Sequence, residues 1–450
     1  MNRSVLIVTP FFAPQSHAAV FRAYKLAKYL PQYGWKPYVV TTDTNYLYNE
    51  DAALLSALPC EVEVHRARYI EPSIRGVRMA LGGRDRTFKA MKAAGAGPVT
   101  ADPIGAGCAA PAASPSRDLY AYLRKHWLDS PDAYWTWERP AVVRAIQLVR
   151  DHNIGIVYTS ADPYTSHRIG YQIQQRTGTR WVADFRDPHT HRFNSHSQVN
   201  RVFAKQRAAE KLAVNSANVS TVAAESIALV LHETYGLKDT HPIRFIPTGL
   251  DESLVAPITT IPIDEPFLVF TGEFLPTYSD AFFRLFSRAL SQAPSGSMCK
   301  ALFIGRMDVN APRIRPFIAR YGLEGRVELM DHVPQSTLYA YLKAAKAALL
   351  IPGSRATWWC LYAKLVDYLA LRKPVIAMVP DPSEARMHLQ RSGLGLFLEE
   401  DEVAAAERLS QFLFGSAPPL VPNTAYCNQF FAHAQVKAFA DLFDGLLASA

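Results

Sequence analysis

Residues 363–377 read AKLVDYLALRKPVIA. Lys364 and Asp367 stand three apart, a basic break follows at Arg372-Lys373, and Pro374 opens a short apolar run. An apolar helix that feeds a buried strand is half of a repeating strand–helix unit, the arrangement that builds parallel sheets covered on both faces. Opposite charges on its first turns have two readings. One is a helical ion pair, worth about 0.2–0.5 kcal/mol; the other is a pair of groups facing a ligand with both a phosphate and a sugar.

Working outward, the same alternation runs through the chain. SVLIVTP, KPYVVTT, EVEVHRA, IGIVYTS, RWVADFRD, NVSTVAA and IRFIPTG read as strands, with helix-length segments such as AVFRAYKLAKYL (19–30) and PAVVRAIQLVRDH (140–152) between most of them. A Pro-rich stretch without helical period, VAPITTIPIDEP (255–266), reads as a linker. The alternation then resumes in FLVFTGE, KALFIGR, VELMDHV, AALLIPG, KPVIAMV and GLGLFLE. The pattern predicts an α/β protein of two doubly wound Rossmann-like domains, 1–254 and 267–423, followed by a terminal helix in 424–450 that is expected to return to the first.

The bulk numbers agree with two domains. A chain of 450 residues, 49% hydrophobic and 20% charged, exceeds one ordinary core. Five cysteines (60, 108, 299, 360 and 427), never in C-x-x-C spacing, argue against a disulfide framework or a cysteine zinc site. No run approaches the ~18 apolar residues of a spanning helix, and MNRSVLIVTPFF reads as a first strand rather than a secretory signal. The expected location is cytoplasmic, or peripheral on the inner face of a membrane.

The net charge of +8 is local. Residues 65–126 carry eleven Lys and Arg against four acids, a surplus of seven. Within this stretch lies an insertion, about 71–118. It begins with a basic amphipathic segment, SIRGVRMALGGRDRTFKAMK, and continues into an Ala/Gly/Pro-rich loop at 93–117. Basic amphipathic segments lie on anionic lipid or pack as solvated surface helices.

Several stretches together resemble the GT-B glycosyltransferases of the retaining family 4 type, in the bacterial branch that builds exopolysaccharides and other surface glycans. They are PFFAPQSHAAVFRAYKLAKYLPQYGW (10–35), SADPYTSHRIG (160–170), WVADFRDPHT (181–190), IPTGLD (246–251) and AKLVDYLALRKPVIA itself. The resemblance implies two domains facing a central cleft, a nucleotide-diphosphate-sugar donor as co-substrate on the C-terminal side, and neither metal nor cofactor. Three positions depart from the family pattern. His17-Ala18-Ala19 replaces a glycine-rich loop, Trp359 stands where a Glu is common, and Glu273 stands where a phosphate-clamping cation is common.

For the donor, a diphosphate needs backbone N–H groups, a helix N-terminus and cations. Gly272, Arg306 and Arg355 sit at expected strand ends, where ligands of doubly wound sheets bind. Lys364 can aim an ammonium at the phosphates, and Asp367 can accept from ribose hydroxyls; Leu365 is grouped with them. On the N-domain side, the resemblance implies that Arg186 lies beside the donor sugar and that Asp187 orients the acceptor or offsets oxocarbenium charge. Arg22 and Asp162 are expected on the acceptor or phosphate side. His17 is a candidate general base, since imidazole titrates near neutral pH. His189, His191 and His196 could satisfy zinc chemically, but an H-x-H in a polar loop is more often solvated.

The expected function is transfer of a sugar, with retention, to a glycan or lipid-linked acceptor in surface polysaccharide biosynthesis. The basic segment suggests an anionic or membrane-bound acceptor, and nothing points to nucleic acid. The alternatives are an inverting transferase using His17, a sugar-nucleotide 2-epimerase, and a non-catalytic subunit of the same fold.

Overall fold

The computed structural model describes residues 2–43, 50–73, 76, 80–81, 131–188, 201–238, 241–255, 261, 265–351, 355–398, 402–415 and 417–449. Most of the basic insertion, most of the linker 255–266, and His189, His191 and His196 lie outside these residues. The chain divides into two compact units. Residues up to Pro247 and the segment Gln435–Ala450 belong to the first, and Thr248–Ala434 to the second.

Among the described residues the first unit holds seven strands: β1 (Ser4–Val8), β2 (Lys36–Thr42), β3 (Glu63–Ala67), β4 (Ile156–Ala161), β5 (Arg180–Phe185), β6 (Val219–Val222) and β7 (Ile243–Phe245). All pair in parallel, in the order β3-β2-β1-β4-β5-β6-β7. β1 and β4 are buried at every residue, as strands covered on both faces must be, whereas edge strand β3 is mostly half-buried. The helix Ala432–Ala448 completes this unit, with Phe439 edge-on to Tyr158 at 5.3 Å and Phe443 edge-on to Trp35 at 5.3 Å.

The second unit holds six parallel strands: β8 (Phe267–Thr271), β9 (Lys300–Ile304), β10 (Val327–Met330), β11 (Ala347–Leu350), β12 (Val375–Ala377) and β13 (Gly395–Phe397). Their order is β10-β9-β8-β11-β12-β13. Alternation along β8 splits its side chains between two cores. Leu268 and Phe270 join an aromatic cluster with Phe274, Phe283 and Phe303, while Phe267 and Val269 join an aliphatic one with Leu350, Leu365 and Leu369. Both sheets reverse direction of winding beside their first strand, between β1 and β4 and between β8 and β11. Such switch points leave a crevice outside the carboxyl ends of the strands.

The opening stretch folds as read: helix Ala363–Ala370, then β12. The basic break ends the helix. Arg372 takes a left-handed φ of 52°, its amide bonded to the Leu369 carbonyl and that of Lys373 to Tyr368. That conformation favours glycine, so the arginine carries backbone strain of about 1–2 kcal/mol. The Lys373 ammonium donates to the carbonyls of Lys343 and Ala345, closing the end of helix Gln335–Ala344, and burial pushes its pKa down to about 8.

Candidate functional site

The most complete candidate site lies in the second unit, at the β8/β11 switch point. β8 ends in Thr271, whose hydroxyl is 3.0 Å from that of Tyr368 on the helix Ala363–Ala370. The chain then turns through Gly272, at φ 99°, a conformation that L side chains rarely adopt. A Cβ on Gly272 would stand 3.9 Å from the Lys364 ammonium. The strand end, the glycine and the lysine therefore form one small locus.

Lys364 makes no ion pair with Asp367, so the simple helical pair is not what the stretch encodes. Among the described residues its ammonium has no hydrogen-bond or carboxylate partner. It rests over the Phe270 ring, 4.0 Å from the centroid, with Tyr278 at 5.9 Å. A cation over aromatic faces gains about 0.5–2 kcal/mol, which does not offset removal from water. Burial pushes the Lys364 pKa down to about 7. An arriving anion would restore the charge. Asp367, one turn on and half-buried, receives a long 3.4 Å hydrogen bond from the Tyr339 hydroxyl.

A residue that the sequence reading missed holds this locus in place. Asn310, only 1% exposed, donates from Nδ2 to the Gly272 carbonyl at 3.0 Å and accepts at Oδ1 from the Phe274 amide at 2.8 Å. A Cβ on Gly305 would strike the Gly272 carbonyl at 2.2 Å, so the position just after β9 also needs a glycine. Glu273, noted in the sequence as a departure, pairs with Arg313 at 3.1 Å, and Arg313 also donates to the Phe274 carbonyl. An N-x-x-R spacing early in a helix after β9 was the available signal. Asn310→Ala leaves a buried carbonyl and amide unpaired. It should lower stability by about 1–3 kcal/mol, read as a reduced midpoint in urea.

Two expected donor residues are placed differently. Leu365 is wholly buried in the aliphatic core and its amide donates to the Tyr362 carbonyl, so neither its side chain nor its N–H is offered to a ligand. Arg306 is at the end of β9 but exposed, paired with Asp308 at 2.7 Å. Arg355 opens the turn Arg355–Thr357 after β11, and its side chain lies outside the described residues. Trp359 is buried.

In the first unit, His17 and Asp162 lie in the chain that follows β1 and β4, beside that switch point. His17 is exposed, its Nε2 3.2 Å from Gln15 Oε1 and its ring edge-on to Phe11 at 4.9 Å. Arg186 ties the ends of β4 and β5 together by donating to the Ala161 carbonyl at 3.0 Å and to that of Asp162. Asp187 follows, half-buried.

Arg22 corrects the reading that put it on the phosphate side. At 2% exposure it faces the interior, where Nε and Nη2 grip both oxygens of Asp184 at 2.8 and 2.7 Å and Nη2 also donates to the Ile246 carbonyl. Hydroxyls of Tyr158, Ser160 and Thr221 complete the shell of Asp184. Burial alone would raise the Asp184 pKa, but Arg22 and these donors outweigh it and hold the carboxyl below its usual 3.8. This is the brace of the sheet, joining β4, β5, β6 and the helix after β1.

Among the described residues, no group of three or more His, Cys, Asp or Glu is arranged to hold a metal. No described helix is long and apolar enough to cross a membrane.

No protein-family model matches the chain, and no curated protein matches it. Solved structures do. Sucrose-phosphate synthase from Thermosynechococcus elongatus aligns with a TM-score of 0.58 at 15% identity, covering 100% of both chains. HepE from Anabaena, in complex with UDP and glucose, aligns at 0.54 and 13% identity over 99% of this chain and 100% of its own. A Listeria monocytogenes protein provisionally assigned as a UDP-N-acetylglucosamine 2-epimerase aligns at 0.53 and 9% identity, over 100% and 98%. Likeness at these identities shows the fold: the chain has the GT-B architecture expected from its sequence, shared with glycosyltransferases.

Proposed function

We propose that the protein is a metal-independent glycosyltransferase. It takes a sugar from a nucleotide-diphosphate donor and passes it, with retention, to a glycan or lipid-linked acceptor in bacterial surface polysaccharide synthesis at the cytoplasmic face of the membrane. The observation that carries this reading is Lys364, an ammonium with no anion among the described residues, beside the left-handed Gly272 at the β8/β11 switch point. A diphosphate supplies the missing charge, and Asp367 one turn on is an acceptor for ribose hydroxyls. In support, HepE, which shares the fold, was solved with UDP and glucose. The sequence resemblance supports retention and the surface-glycan role.

In a retaining enzyme the leaving phosphate takes the acceptor proton, and the protein supplies position and electrostatic stabilisation. Asp187 then has the role of orienting the acceptor and offsetting positive charge on the sugar, with Arg186 fixing the loop that carries it. No protein base is required, so His17→Ala should keep most of the turnover. A large loss with an inverted product anomer would favour the inverting mechanism.

The test is thermal unfolding with UDP, GDP, dTDP and their sugars, followed by product analysis. A ligand at about one hundred times its Kd adds roughly 2.7 kcal/mol of stability, so one nucleotide class should raise the Tm by several degrees. The likeness to the Listeria protein favours an epimerase as the second reading. Nucleotide released only when acceptor is present supports the transferase. A changed sugar on an intact nucleotide supports the epimerase, and no binding of any nucleotide sugar overturns both.

A further inference from the structure

Where the edge strand β3 meets helix Trp135–His152, the first unit has an open cavity of about 390 Å³. Arg66, Arg68, Arg139 and Arg144 line it together with Ala67, Pro140, Val143 and Gln147, and no acid is among them. Four guanidinium groups around one cavity repel each other, and a folded chain does not gather them for stability.

Among the described residues none of these arginines hydrogen-bonds or ion-pairs with a carboxylate. Arg66 is half-buried and donates to the backbone carbonyls of Thr42 at 3.1 Å and Ala13 at 2.6 Å. Arg144 contacts His65 Nδ1 at 2.9 Å and donates to Gln147 at 3.0 Å. All four acceptors are neutral. Asp43 and Glu50 attract Arg66 electrostatically, but no ion pair joins either to it among the described residues. Arg68 and Arg139 are exposed and make no hydrogen bond or ion pair among the described residues. Two arginines are thus held by backbone and side chain, while two are free to close on a ligand.

We propose that this cavity is an anion site for a phosphate or diphosphate group, separate from the Lys364 locus. Guanidinium forks match phosphate oxygens in two-point contacts, which point-charge lysines do not. The hollow is open to solvent, so a phosphate group can reach the arginines directly. The helix beside it adds an apolar element. Val143 is 62% exposed and Trp135 43%, and they share one outward stripe with Arg139, at spacings of four residues. Cations interleaved with exposed apolar side chains suit a phosphate carried on an apolar tail.

The experiment measures binding of inorganic diphosphate, and of vesicles of phosphatidylglycerol or phosphatidylcholine, to the full chain carrying Lys364→Met. That background removes the other cation, so the result does not depend on the nucleotide-sugar reading. Diphosphate, phosphatidylglycerol vesicles or both should bind, with affinity falling as salt rises. The added pair Arg68→Gln and Arg139→Gln should weaken binding by about 10–100-fold, with the Tm unchanged because both side chains are exposed and have no partner among the described residues. Diphosphate binding identifies a soluble or head-group phosphate as sufficient. Vesicle binding without diphosphate binding assigns the source to lipid. Absence of both, equal affinity in the Gln pair, or equal binding to phosphatidylcholine overturns the proposal.

Discussion

Asp184→Ala should lower the unfolding free energy by about 3–5 kcal/mol, because it leaves the Arg22 guanidinium buried and without its carboxylate. The mutation strips an acceptor from Arg22, Tyr158, Ser160 and Thr221 together, and Arg22 at 2% exposure has no route to water. A urea titration measures the loss, and a change under 1 kcal/mol would refute the brace. Replacing both partners with apolar residues, Arg22→Met with Asp184→Leu, should lose less than the sum of the single changes, since no lone charge remains. Acid gives an independent check. The folded carboxyl titrates below its unfolded value of 3.8, so its contribution is complete above about pH 5 and lost as pH falls through the lowered folded value. The acid limb of the stability profile should therefore be shallower in Asp184→Ala.

Lys364→Met should act in opposite directions on the free and the liganded protein. Without ligand, burial has lowered the lysine pKa to about 7 from 10.5. The unfolded chain therefore binds more protons between these values, and wild-type stability rises with pH across that window. Methionine removes the desolvated amine and keeps the contact with Phe270, so the variant should be more stable at pH 6 by about 1 kcal/mol and lack this rise. With nucleotide diphosphate present, the order should reverse. A charge-assisted hydrogen bond is worth roughly 1.5–3 kcal/mol, or a Kd about 10–150-fold weaker in the variant. Thermal unfolding at pH 6 and pH 9, with and without the nucleotide that binds wild type, reads both effects. Equal ligand shifts in the two proteins would remove Lys364 from the donor site.

The thirteen strands among the described residues were legible because each is a short apolar or β-branched run with a helix-length segment or a turn to follow. The location of the candidate site was legible for a related reason. Once strand order is known, the crevice follows from topology, and Gly272 and Lys364 fall there. What each side chain touches was not legible. Arg22 and Asp184 are separated by 162 positions and by most of the first unit, so nothing local announces their bond. Arg22 lies near the loop after β1, and proximity to that loop suggested a ligand. The Asn310 bridge depends on the approach of two strand ends, which no helical or strand period encodes. In the opening stretch, the charges three apart look like a pair, yet tertiary packing draws Lys364 onto an aromatic face instead.

The division of the chain has a consequence for how the protein is made. The second unit is one unbroken stretch, Thr248–Ala434, whereas the first needs Gln435–Ala450 to seal Trp35, Tyr158 and Arg22 beneath Phe439 and Phe443. A ribosome therefore delivers every strand of the first sheet long before its last covering helix, and must translate the whole second unit in between. Folding from the N-terminus is the usual order for successive domains, but here the first unit cannot be completed until Gln435–Ala450 has been made. The second can be completed first, and in that interval Trp35, Tyr158 and Arg22 lack the cover that Phe439 and Phe443 give them.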